Sequence, residues 1–261
     1  MPKIGVIGGS GLYQIPGLMI KEYRNLTTPF GSPSDTYMIG VLSGKEIVFL
    51  PRHGLKHHIP PHRINYRANI WGFKELGVER IISVSAVGGI GFDIRPGMII
   101  IPDQILDMTN GRDSTFYDGD EVVHIDFTEP YCPELRDALF RGGEHSGIEL
   151  RNSGIYVCMN GPRLETKAEI KMFLNMGVDI VGMTAMPEAA LAREAEVCLV
   201  GVVVVTNYAA GIANKRLTTT EVKETMREAI TRVGNLLLET FHLIPGRRRC
   251  PCKDVLKESR M

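Results

Sequence analysis

Short β-branched runs alternate along this chain with longer stretches of helical periodicity, which confines it to folds that layer helices on a sheet. Lys3-Ile4-Gly5-Val6-Ile7 and Glu46-Ile47-Val48-Phe49-Leu50 read as the first two strands. Ile64 to Leu76 then spaces Ile64, Ala68, Trp71 and Phe73 as a helix, and Gly77 stops it. Arg80 to Val84 and Gly97 to Ile101 are strand-like, and Pro133 to His145 is a helix that opens on proline. The strand Ile155 to Met159 precedes helices over Lys167 to Met176 and Pro187 to Ala195. Cys198 to Val205 is the strongest strand, and an amphipathic helix from Thr220 to Phe241 ends before Pro245. No internal repeat or low-complexity linker interrupts this pattern. The expectation is a single-domain layered α/β fold with a central mixed β-sheet flanked by helices, spanning 1–245. A basic, weakly patterned tail, 246–261, follows with its Cys-Pro-Cys.

At 261 residues and 44% apolar, the chain can bury a sizeable core as one domain. Thirty basic and thirty acidic residues balance, so no broad cationic surface and no nucleic-acid partner are expected. The longest apolar stretch, Val197 to Val205, is too short to cross a bilayer, and the amino terminus lacks the apolar core of a signal peptide. No membrane partner is expected, and the cytoplasm is the expected location. Of five cysteines, Cys132, Cys158 and Cys198 lie singly and read as buried small apolar residues. Cys250-Pro251-Cys252 reads as too isolated for a complete zinc site, which needs two further ligands nearby. A vicinal clip or a redox-exposed pair that supports thermal stability without touching catalysis is the expectation there, and no metal is expected.

Polar clusters sit where the predicted strands end, the usual ligand position in open α/β sheets. Gly8-Gly9-Ser10-Gly11 follows the first strand; it is neither a Walker loop nor GxGxxG, but its glycines let backbone N–H groups converge on an anion. Pro51-Arg52-His53-Gly54 follows the second, and guanidinium and imidazole both donate to phosphate oxygens. Ser85-Ala86-Val87-Gly88-Gly89, Met183-Thr184 and Thr206-Asn207-Tyr208-Ala209 follow later strands. Each alone is ordinary loop chemistry; their repeated placement points to a phosphate held between strand ends. Covalent chemistry has little support, since no Gly-x-Ser-x-Gly elbow and no HExxH helix occur. His53, His57, His58 and His62 cluster locally, but Pro60 and Pro61 break the helical geometry that would align them on a metal.

Together these segments resemble the purine nucleoside phosphorylase and methylthioadenosine phosphorylase family over nearly the whole chain. The resemblance is carried by Pro51-Arg52-His53-Gly54, Asn65 to Trp71, Thr115 to Gly119, Gly161-Pro162-Arg163, and Met183-Thr184 with Pro187-Glu188. It implies a phosphate site of Ser10, Arg52, His53, Ser85, Ala86 and Thr184, with Met183 against the ribose and Asn207, Tyr208 and Ala209 facing the purine. It also implies phosphorolysis of an N-glycosidic bond, with inorganic phosphate as co-substrate and no cofactor, in a homotrimer or a hexamer built as a dimer of trimers. His124 then either reaches a neighbouring subunit's site or is structural.

Methylthioadenosine-type members carry Asp where Asn207 stands and a second Asp at Ala209. Here one acid is an amide and the other is gone, while Glu165 resembles the acid that inosine- and guanosine-cleaving members use. An amide can donate to a 6-oxo group and accept from an N7 proton, and a carboxylate can accept the N1–H that only 6-oxopurines carry. Glu165 could instead merely start the following helix. The reading is therefore a 6-oxopurine nucleoside phosphorylase acting on inosine, guanosine or 5′-methylthioinosine, with Asn207 as the catalytic residue. The alternative is a methylthioadenosine phosphorylase. The segment Leu217 to Val222, expected near the 5′ position, holds both polar and apolar residues and decides nothing.

Overall fold

A computed structural model describes residues 3–13, 15, 17–213 and 218–261, so Leu217 lies outside the described residues. In chain order the elements are β1 (Lys3–Gly8), β2 (Met19–Arg24), β3 (Tyr37–Leu42), β4 (Lys45–Pro51), α1 (Tyr66–Glu75), β5 (Val78–Gly89), β6 (Ile99–Ile100), β7 (Gln104–Met108), α2 (Pro133–Ser146), β8 (Leu150–Arg151), β9 (Ile155–Met159), α3 (Lys167–Asn175), β10 (Ile180–Gly182), α4 (Ala185–Glu194), β11 (Cys198–Tyr208) and α5 (Thr219–Leu243). Local chemistry sets several helix starts. Asn65 accepts from the Ala68 N–H, Thr166 and Glu169 form a reciprocal capping box, and Thr218 accepts from the Glu221 N–H.

The strands join one mixed sheet, in the order β2-β3-β4-β1-β5-β10-β9-β7, with β11 and then β6 and β8 branching from β5. Period-two alternation divides the core between the two faces. Along β11, Val202 and Val204 pack with residues of α2 and α5, such as Leu135, Leu139, Val233 and Leu237. Val203 and Val205 point the other way, to α1 and α4 residues such as Ile70, Phe73, Ala189 and Leu191. Because both faces of β11 are covered, it reads as a continuous valine run, as buried strands of layered α/β folds do. The layered fold with a mixed central sheet is thus as the sequence predicts.

The differences lie at the sheet's margins and at strand ends. β2, β3 and β7 are not among the expected strands; β3 is a buried apolar run, whereas β2 is an edge strand exposed along its whole length, so burial imposes no apolar alternation on it. The strand expected over Gly97 to Ile101 reduces to Ile99–Ile100. Conversely, β5 and β11 run on through Ser85–Gly89 and Thr206–Tyr208, so these clusters lie within strands instead of following them.

The tail packs onto the body through a 3₁₀ run, Pro251–Glu258, and a bridge between Arg260 and Val123. His124, exposed on this stretch, donates its backbone N–H to the Ser259 carbonyl at 2.8 Å. Cys250 and Cys252 are not isolated, which corrects the sequence expectation. Cys132 and Cys198, far away in sequence, meet them, and the four sulfurs lie within 4.8 Å of one another.

Candidate active site

A fork in β5 builds one half of the site. β11 pairs along one edge of β5 from Arg80 to Gly89. On the other edge β1 covers Val78 to Ser83 and β10 begins only at Gly88 and Gly89, leaving Val84 to Val87 open between them. The Val84 carbonyl faces this opening, where it accepts from Arg52 Nη1 at 3.0 Å. Backbone polar groups alternate between the edges of a strand, so the Ala86 N–H two residues on faces the same opening. Ser85 lies on the same sheet face as Ser83, one step nearer the strand's end.

Arg52 closes the opening from the end of β4, whose Pro51 is in register with Gly8 of β1. The side chain is wholly buried. Its Nε donates to Glu188 Oε1 at 2.6 Å, and Nη2 donates to Glu188 Oε2 at 3.1 Å and to Ser83 Oγ at 2.7 Å. Ser83 in turn donates to Glu188 Oε2 at 2.7 Å. Burial works against the charge, but Glu188 more than offsets this and holds the guanidinium firmly cationic. With Val84 taking one Nη1 hydrogen, a single N–H remains to point outward, on the nitrogen beside Gly9. A Cβ at Gly9 would stand 2.8 Å from Arg52 Nη1 and 2.5 Å from the Val84 oxygen, so only glycine lets the turn press against the guanidinium. Ser10 follows it, half-buried.

His53 departs from its expected role as a donor. Its Nδ1 lies 2.9 Å from the Ile59 carbonyl, which can only accept, so Nδ1 carries the proton and Nε2 is left as an acceptor. Burial, then the neighbouring Arg52 charge, lowers its pKa to about 4, so the ring is neutral at pH 7. A neutral imidazole of this tautomer takes a hydrogen bond from the hydroxyl of a phosphate monoanion or dianion. Thr184, nearly buried, is the N-cap of α4 but does not cap it with its side chain; its N–H lies 3.5 Å from Tyr156 Oη.

The other half of the site depends on a bulge. β5 and β11 stay in step up to Val87 and Val205, then Gly88 pairs with Asn207, leaving Thr206 extra. This shift re-aims Asn207 beside Gly88, where a Cβ would crowd Val181 Cγ1 at 3.2 Å and touch Asn207 Nδ2 at 3.4 Å. The amide is locked: Nδ2 donates to the Tyr208 carbonyl and Oδ1 accepts from Thr206 Oγ1, both at 2.9 Å. One N–H and one lone pair remain in the amide plane. Ala209 is buried, its N–H held by the Gly89 carbonyl, while Tyr208 is half-buried.

The helix that Glu165 precedes packs beside this segment: Ile170 and Phe173 of α3 cluster with Ala209, and a Cβ on Gly211 would lie 2.9 Å from Lys167 Cγ. The Oε1 of Glu165 is buried without a hydrogen-bond partner, and burial raises its pKa above the ordinary carboxylate value. Thr166 is the N-cap of α3 and Glu169 completes its capping box, so Glu165 stands one residue before the cap.

Met183 folds against Gly161, where a Cβ would approach its sulfur to 2.5 Å. Arg112 staples this wall: Nη1 donates to the carbonyls of Met183 at 2.9 Å and Met186 at 2.5 Å, Nη2 to that of Asn160 at 2.8 Å, and Nε to Asn160 Oδ1 at 3.0 Å. Arg112 lies in a loop with no sequence signal. Glu188 stands in a recognisable motif, but its partnership with Arg52, 136 residues away, is visible only in the fold.

Comparison with known proteins bears on what such a site serves. A family model described as the phosphorylase superfamily matches residues 3–242. A probable 6-oxopurine nucleoside phosphorylase of Thermococcus kodakarensis is 52% identical over 98% of both chains. A probable S-methyl-5′-thioinosine phosphorylase of Thermodesulfovibrio yellowstonii is also 52% identical, over 98% of this chain and 97% of its own. Among solved structures, methylthioadenosine phosphorylase from Schistosoma mansoni in complex with adenine superposes with a TM-score of 0.95 at 33% identity, covering 100% of this chain and 99% of that one. By these full-length matches the chain belongs to the phosphorylase superfamily, within its purine nucleoside and methylthioadenosine phosphorylase family.

Proposed function

We propose that this enzyme cleaves the N-glycosidic bond of 6-oxopurine nucleosides with inorganic phosphate, releasing the free base and a ribose-1-phosphate derivative in purine salvage. Inosine, guanosine and 5′-methylthioinosine are the candidate substrates. Two observations support the choice of base: an amide at Asn207 with one N–H and one lone pair unused, and an Oε1 of Glu165 that is buried without a hydrogen-bond partner. A 6-oxopurine offers N1–H to that carboxylate and accepts at O6 from the free Asn207 N–H; neutral adenine reverses both contacts. Each mismatched buried pair costs ~1–3 kcal/mol.

In the reaction, phosphate binds against Ser10, the free Nη1 hydrogen of Arg52, His53 Nε2, the Ser85-Ala86 segment and Thr184. Met183 lines the ribose, and Tyr208 and Ala209 complete the purine side. Phosphate oxygen attacks C1′ as the C1′–N9 bond breaks through an oxocarbenium-like state, and the bonding pair leaves with the base. A proton taken up from solvent at N7 neutralises the departing base; Asn207 accepts from that N7–H and donates to O6, interactions that strengthen as charge builds on the leaving group. The substrate brings its own nucleophile, so the chemistry proposed uses no cofactor and no catalytic metal.

The test is base release from a panel of inosine, guanosine, methylthioinosine and methylthioadenosine, with phosphate present or omitted. Phosphate-dependent cleavage of the 6-oxo members is expected. Faster turnover of methylthioadenosine would transfer the assignment to methylthioadenosine phosphorylase. A trimer, or a dimer of trimers, is the assembly we expect by sedimentation; the exposure of Phe92 at 93% is consistent with a covered surface in such an assembly. Among the described residues no helix is long and apolar enough to cross a membrane. A cytoplasmic location is part of the proposal.

A further inference from the structure

We propose that Cys132, Cys198, Cys250 and Cys252 form a structural tetrathiolate site for a thiophilic divalent cation, zinc, that clips the carboxyl-terminal tail to the body. The four come from three places: Cys132 is the N-cap of α2, Cys198 begins β11, and Cys250 and Cys252 are the N-cap and second residue of the tail's 3₁₀ run. All four are buried and unbonded, with sulfurs within 4.8 Å of one another and Cys198 Sγ 3.3 Å from Cys250 Sγ. A zinc–sulfur distance of about 2.3 Å in a tetrahedron sets sulfurs about 3.8 Å apart, so a small contraction or expansion of the cluster accommodates the ion.

The ligand set also argues for the ion. Four sulfurs with no carboxylate favour zinc over the harder cations. Binding follows Zn²⁺ + 4 RSH → [Zn(SR)₄]²⁻ + 4 H⁺, and the resulting double negative charge needs donors around it. Arg193 Nη1 lies 3.6 Å from Cys252 Sγ and donates to it, and the Cys252 backbone N–H is directed at Cys250. Arg247, Arg248 and Arg249 immediately precede the first tail ligand. Cys198 and Asn207 stand at opposite ends of β11, nine residues and about 30 Å apart by strand rise, so the site is structural.

The test begins with metal analysis of the purified, untreated protein. One zinc per subunit, released when a mercurial titrates four thiols, is expected. Exchange with cobalt should give the intense visible absorption of a tetrahedral tetrathiolate. Cys252→Ser should lose the metal and lower Tm by about 10 °C while turnover at moderate temperature is unchanged. A metal-free protein overturns the proposal in either of two forms: one lighter by four hydrogens, with two disulfides, or one with four reduced thiols that bind neither zinc nor cobalt. These readings stand apart from the substrate assignment, since none depends on catalysis.

Discussion

Replacing Glu188 by Gln isolates the arrangement on which the proposed phosphate site rests. Glu188 and Arg52 are both wholly buried, and the carboxylate accepts three hydrogen bonds, two from Arg52 and one from Ser83. Gln keeps the size but removes the charge, and its NH₂ must face an N–H of the guanidinium. A buried cation left without its partner costs ~3–5 kcal/mol; with an isosteric amide we take the lower end, ~3 kcal/mol. For a chain of this length that corresponds to a Tm about 6–12 °C lower. Function should suffer separately, because Arg52 is aimed by this pair. Losing one well-placed charge-assisted bond to phosphate is worth ~1.5 kcal/mol, or about tenfold in phosphate KM. Nucleoside KM should hardly move. Differential scanning fluorimetry and initial rates at varied phosphate read both effects. A variant with wild-type Tm and wild-type phosphate KM would refute the reasoning.

Three further outcomes are expected. Asn207→Ala should lower kcat on inosine-type substrates by ~100- to 1,000-fold with little change in phosphate KM; Asn207→Asp should shift the ratio toward 6-aminopurines, since the acid opposes O6 and sits against the Tyr208 carbonyl. Steady-state kinetics on paired 6-oxo and 6-amino substrates checks both. Glu165→Gln should weaken 6-oxopurine cleavage yet raise Tm of the free enzyme at pH 7: a carboxyl whose folded pKa is raised destabilises the fold above its unfolded pKa, and the amide removes that burden. His53, with a folded pKa of about 4 against 6.5 for an unperturbed histidine, contributes stability that is present above pH 6.5 and lost as pH falls toward 4, about 3 kcal/mol in all. Urea unfolding at pH 7 and 4.5 should show a smaller acid loss in His53→Asn than in the wild type.

Much of this fold is local in origin, and those parts were legible in the chain. The valine run of β11 is buried on both faces, and the apolar spacing of α1 and α5 follows their packed sides. The candidate phosphate and purine residues could likewise be named from ordered motifs. Tertiary structure alone decided how they act. The opening in β5 exists because β1 ends before β10 begins, and Asn207 is re-aimed by one extra residue in a register that only pairing defines. His53 became an acceptor because the Ile59 carbonyl claims its proton, and the orphaned oxygen of Glu165 is a fact of burial. Cys132 and Cys198 looked solitary for the same reason that Glu188 had no evident partner. Each meets its counterpart across tens of residues, through contacts that form only when strand register and helix packing bring distant backbone together, and no local periodicity encodes that distance.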